Sequence, residues 1–295
     1  MVIIMRYNLK NDSVSLVFDT EGAELKSAVK NGREYMWYAD PKIWGRTSPI
    51  LFPFVGAMKN GEYTVDGEKY HLPQHGFARD MEFEIESETE NSVVFALKSD
   101  EETKKSYPFD FVLKVTYTLE GDKLTVAWTV ENPSDRLMYF SIGGHPGFMC
   151  PFDGGKQSDY KLHFDCDGSL EYSLVSKSGF IDKSEPKHTL ALDGGYADIT
   201  EGMFDKDALI AEDFQAHEIS LCMPDGTPYV TVLTDAPLFG IWSKEYANAP
   251  YICIEPWYGR CDAVDSGLEL SERDYICTAE PHGEFTAKYE IIFRL

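Results

Sequence analysis

Two alternating runs constrain this chain more than anything else in it. Phe109, Phe111, Leu113, Val115, Tyr117 and Leu119 recur at every second position, and after Glu120-Gly121-Asp122 they are answered by Leu124, Val126, Trp128 and Val130. Period-two alternation of this length belongs to strands that bury one face, and the glycine between them permits a tight reversal. A long hairpin with a single apolar face needs a second layer to cover it. No helical periodicity elsewhere offers one. Short apolar segments do, cut by turns at Asn31-Gly32, Asp66-Gly67 and Pro224-Asp225-Gly226-Thr227. Further strands are expected near 14–18, 81–86, 92–98, 219–223, 229–233, 238–243 and 251–254, and at the carboxyl end, 285–295. The class is therefore all-β. With 295 residues, 43% of them hydrophobic, and no linker-like stretch, one large domain over 1–295 is expected.

A net charge of −23 works against phosphate backbones and anionic lipid surfaces, so neither nucleic acid nor a membrane is an expected partner. Residues 1–5 carry no basic segment leading into a long apolar core, and no later run approaches the roughly 20 apolar residues of a span. A cytoplasmic protein is expected. The six cysteines form no Cys-x-x-Cys pair and read as reduced thiols. Cys253, between Ile252 and Ile254, reads as a small buried side chain rather than a nucleophile. Nucleotide loops and the Gly-x-Ser-x-Gly elbow are missing from the sequence.

Three stretches carry candidate chemistry. In Ser141-Ile142-Gly143-Gly144-His145-Pro146-Gly147-Phe148, glycines and a proline suggest a shaped loop at a rim or bend, with His145 serving either the turn or proton transfer near neutrality. In Ile254-Glu255-Pro256-Trp257-Tyr258-Gly259-Arg260, a strand near 251–254 would deliver Glu255, and burial beside Trp257 or Tyr258 would raise its pKa toward working pH. In Trp44-Gly45-Arg46-Thr47-Ser48-Pro49, Arg46 needs a partner, supplied by an internal acid or by a ligand. His71 and His75 have the spacing of a helical zinc pair, but Pro73 between them argues against the helix. Asp207 precedes an apolar run and reads as its cap or as a ligand contact.

Taken together, these pieces resemble the aldose 1-epimerase (mutarotase) superfamily, especially its LacX-like branch. The resemblance runs nearly end to end. It is carried by Arg46 with Pro49-Ile50-Leu51-Phe52-Pro53, His75-Gly76-Phe77-Ala78-Arg79, Tyr107-Pro108-Phe109, the His145 segment, Ile241-Trp242-Ser243 and Glu255-Pro256-Trp257. It implies a large antiparallel β-supersandwich and no cofactor or metal. It makes Glu255 the general base and His145 the acid. Arg46, His75, Arg79, Trp257 and, less directly, Asp207 would hold a small sugar or sugar phosphate. The implied protein is a monomer or homodimer that interconverts anomers; the alternative is a carbohydrate-binding or sensing protein on the same fold. The family's galactose mutarotases differ at the histidine segment, where this chain has Gly144 before and Pro146-Gly147 after, and its hexose 6-phosphate members share the His-Gly-Phe-Ala-Arg run. The choice between free sugar and phosphate therefore stays open.

Overall fold

The computed structural model describes residues 5–176, 179–246 and 248–295. Residues 1–4, part of the segment read for a leader, lie outside them. The hairpin forms as its alternation requires: Val112–Glu120 pairs with Lys123–Glu131, with Glu120 facing Lys123 around Gly121-Asp122 and Gly121 at φ 58°. Its ten inward residues, from Phe109 to Val130, are all buried, each worth about 1.5–3 kcal/mol against exposure. The carboxy-terminal strand Glu284–Phe293 lies between Lys123–Glu131 and Pro228–Thr234, in the middle of a nine-stranded antiparallel sheet. That sheet runs from Tyr196–Asp198 through Lys161–Phe164 and Glu218–Cys222 to these three, then on through Val112–Glu120 and Ser92–Lys98 to Glu84–Glu88.

The covering layer is a second antiparallel sheet, ordered Leu209–Glu212, Leu238–Trp242, Tyr251–Tyr258, Ile142–Gly144, Ile50–Leu51, with Gly147–Met149 also alongside Tyr251–Tyr258. Leu209, Phe239, Ile241, Ile252, Ile254, Ile142 and Phe148 join the hairpin's inward residues in one core. A four-stranded sheet, Arg6–Lys10 to Arg33–Glu34, adds Phe18, whose ring centroid lies 4.5 Å from that of Tyr117. The fold is a large antiparallel β-supersandwich, as the sequence implied.

Three local expectations are corrected. The His145 segment is not a rim loop: it is a break between two strands inside the second sheet, and His145 is 7% exposed. Nor do its glycines serve unusual backbone angles, since none of Gly143, Gly144 and Gly147 has positive φ. They provide space instead. A Cβ would come within 2.7 Å of the Trp257 indole at position 143, 2.9 Å of the Tyr289 ring at 144 and 3.0 Å of Trp44 at 147. Third, the strand carrying Glu255 does not end at Ile254 but continues to Tyr258, with Pro256 inside it. His71 ends an exposed strand and His75 sits on a turn at φ 66°, so no helix carries that pair.

Candidate active site

The site lies on the face of the second sheet turned away from the core, at the strand break. Register holds across that break: Gly143 faces Trp257 and Gly147 faces Cys253, so His145 falls directly across from Glu255. The Ile254 N–H donates to the Pro146 carbonyl at 3.3 Å. By the same register residue 256 stands opposite Gly144, the last residue of its strand, so Pro256 gives up one ladder bond at the edge of the break. On the other flank Glu255 faces Gly240, where a Cβ would come within 2.6 Å of the Trp257 indole. The indole is thus accommodated between two glycines, Gly143 and Gly240.

His145 Nε2 and Glu255 Oε2 are 3.2 Å apart, and Glu255 is 1% exposed. Both line a cavity of about 340 Å³, together with His75, Arg79, Asp207 and Trp257. That volume suits a small-molecule ligand. His75 Nδ1 accepts the Gly56 N–H at 3.0 Å, so the neutral ring carries its proton on Nε2. Its turn is pressed against the Ile50–Leu51 strand end: a Cβ on Gly76 would sit 2.2 Å from the Phe52 carbonyl oxygen. Arg79 donates through Nη2 to the Gln74 carbonyl at 2.6 Å, while its buried Nε has no hydrogen-bond partner among the described residues. Asp207, at φ 76°, accepts the Ala208 N–H at 2.7 Å and also lines the cavity. Arg46 stands outside the lining, with Nη2 2.6 Å from Asp80.

Burial dominates the electrostatics. It raises Glu255 well above the usual carboxylate range, with the nearby Asp207 adding to the effect. The Trp257 indole N–H opposes this shift without making a hydrogen bond of good geometry. Burial depresses His145 to about 3, with Arg79 and Arg46 contributing, and takes His75 well below its ordinary value. It also raises Asp207 and lowers Arg79 to about 10. The pair opposes gaining a second proton at His145 and losing the last one from Glu255, so across neutrality it holds one transferable proton. The pair sits within contact distance but misaligned, since Glu255 Oε2 has no hydrogen-bond partner among the described residues. Its proton is therefore not locked between the two groups.

The candidate residues named from the sequence omitted the aromatic wall. Trp44 lies 4.8 Å from His145 between ring centroids, and Trp242 meets the same ring edge-on at 5.4 Å. The Trp44 loop is tied down by Glu24, whose Oε1 accepts the Thr47 and Ser48 N–H groups at 2.6 and 2.8 Å. Cys253 was also missed as a neighbour of the pair. Reading the strand through Pro256 would have put 253, 255 and 257 on one face.

Comparison with known proteins shows the family and the fold. The aldose 1-epimerase family profile matches residues 5–274. The chromosomal protein LacX of Lactococcus lactis subsp. lactis is 30% identical over 97% of this chain and 99% of its own length. A galactose mutarotase related enzyme from Lactobacillus acidophilus superposes with a TM-score of 0.93 at 36% identity, covering 99% of this chain and 98% of that one. A galactose mutarotase-like protein from Lactobacillus casei gives 0.89 at 27% identity, covering 98% and 99%.

Proposed function

Because the chain belongs to the aldose 1-epimerase family, we propose that it interconverts the α and β anomers of an aldohexose, or of an aldohexose 6-phosphate, by acid/base ring opening. With the pair's single proton moved from the Glu255 carboxyl to His145, Glu255 takes the proton of the anomeric hydroxyl, whose electron pair forms the aldehyde carbonyl as the bond from C1 to the ring oxygen breaks. His145 gives that oxygen its proton. Rotation about C1–C2 and the reverse transfers close the other anomer, and the pair ends with the proton count it began with. The observation that carries this reading is the 3.2 Å separation of two buried, misaligned groups facing one cavity. Two oxygens bonded to a single carbon can engage both groups at once. His75, donating from Nε2, Arg79 and Asp207 hold the hydroxyls. Trp257, with Trp44 and Trp242, offers apolar faces to sugar C–H groups. Arg46 acts one step removed, holding Asp80 beside Arg79.

Exchange NMR on glucose, galactose and their 6-phosphates tests the proposal, with exchange above the uncatalysed rate expected for at least one sugar and lost in His145→Ala. Sugar binding without exchange would make the protein a carbohydrate-binding or sensing protein instead.

A further inference from the structure

Cys253 lies beneath the proposed acid/base pair and has no part in the chemistry above. It faces Gly147 across the strand pair, is wholly buried, and shares the face of Glu255. A ring nitrogen of His145, the Cys253 Sγ and a Glu255 carboxylate oxygen all lie within 4.8 Å of one another. Each of the three residues is more than nine-tenths buried, and Glu255 Oε2 has no hydrogen-bond partner among the described residues. One imidazole and one carboxylate on the cavity wall, with one thiol buried behind them, supply the imidazole, thiolate and carboxylate ligand types of a zinc site with three protein ligands and an open fourth position.

The spacing fits as well. Two nitrogen or oxygen ligands about 2.1 Å from a tetrahedral centre stand about 3.4 Å apart, and His145 Nε2 and Glu255 Oε2 are 3.2 Å apart. Sulfur takes a longer bond of about 2.3 Å, and the Cys253 Sγ lies within 4.8 Å of the other two donors. The soft thiol selects against Mg²⁺ and Ca²⁺, which take oxygen ligands.

We propose that His145, Cys253 and Glu255 form a binding site for a thiophilic divalent cation, Zn²⁺ or Cd²⁺, that excludes the sugar. The ion displaces the thiol proton and the proton held by the His145–Glu255 pair to solvent, and occupies the position of the hydroxyl on which the pair would act. Binding stands on the cluster alone; its competition with sugar rests on the anomer-exchange reading.

The test uses the full chain after chelator treatment. Titration with Cd²⁺ should give a saturable thiolate-to-cadmium absorption band at one ion per chain. The band should be missing from Cys253→Ala and from Cys253→Ser, which keeps the side-chain volume should the smaller variant fold poorly. In exchange NMR, Zn²⁺ should inhibit competitively with sugar, Mg²⁺ should not, and EDTA should restore the rate. Either Cys253 variant should keep its uninhibited rate and require about 10–100-fold more Zn²⁺. An equal Cd²⁺ band in wild type and both variants, or equal Zn²⁺ sensitivity, overturns the site. If the wild type shows no anomer exchange, the mutarotase reading fails while the Cd²⁺ band still decides the metal site.

Discussion

Glu255 and Arg260 stand five residues apart in the sequence, and both are nearly sealed from water, at 1% and 5% exposed. Arg260 is fully met. Its Nε and Nη2 reach Glu212 and Asp274, each at 2.8 Å, and Nη1 donates to the Cys261 carbonyl at 2.9 Å. Glu255 Oε2 has no hydrogen-bond partner among the described residues: His145 is within reach at 3.2 Å but misaligned. Removing an ion from water is costly unless its partners are complete. The Arg260 network satisfies that condition and reads as architecture, whereas the Glu255 side leaves a deficit that a hydroxylated ligand would fill. Burial alone does not distinguish a site from a structural ion pair; a missing partner on the wall of a cavity does.

The comparison is broken most directly by removing the charge on each side. Glu255→Gln should lower anomer exchange by about 10²- to 10⁴-fold, the usual share of one positioned acid/base group, with no loss of thermal stability. Polarimetry on a freshly dissolved α-anomer together with a melting curve checks both halves. A variant that melts early would place Glu255 with the architecture. Arg260→Met should do the opposite. It leaves Glu212, 6% exposed, without its main partner, at a cost of about 3–5 kcal/mol. Lys187, 3.4 Å from Glu212, favours the lower end of that range. Denaturant unfolding should show the loss, while exchange per folded molecule stays at the wild-type rate.

A gentler probe enters from the floor of the site. Gly240→Ala puts a methyl 2.6 Å from the Trp257 indole, and overpacking of this kind costs about 1–3 kcal/mol. Displacing the ring that flanks the cavity should raise KM for the sugar about tenfold and change kcat less. An unchanged KM would remove Trp257 from the binding wall.

The two regions also differ in how far the sequence revealed them. The hairpin, its turn and the all-β class were legible because alternation and glycine turns act locally, whereas the supersandwich came only from the resemblance. His145 and Glu255 were legible as residue types in unusual settings, but their register was not. Pro256 looked like a strand end, and only the pairing with Ile142–Gly144, more than a hundred residues earlier in the chain, shows that the strand runs through it. The glycines of the histidine segment were read for backbone freedom, when what requires them is the bulk of Trp257, Tyr289 and Trp44. Arg46 shows the same limit: the sequence asked for a partner and could not say that it would be Asp80.

The smallest effect is in stability, and it sharpens the contrast by its sign. Burial raises Glu255 in the folded protein, so below its unfolded value of about 4.3 the carboxyl is protonated in both states and no penalty operates. As pH rises past that value the unfolded chain releases the proton while the folded chain retains it, and stability falls until the folded pKa is passed. His145, depressed to about 3, contributes the opposite trend as pH falls below about 6.5, and it is present in both proteins compared. Glu255→Gln cannot ionise. It should therefore match the wild type near pH 4 and be the more stable of the two near pH 8. Melting temperatures across that range measure the difference. A gap that closes with rising pH would mean that the Glu255 carboxylate is satisfied in the folded protein, as the Arg260 guanidinium is, and would leave the hollow without the unmet charge that marks it as a site.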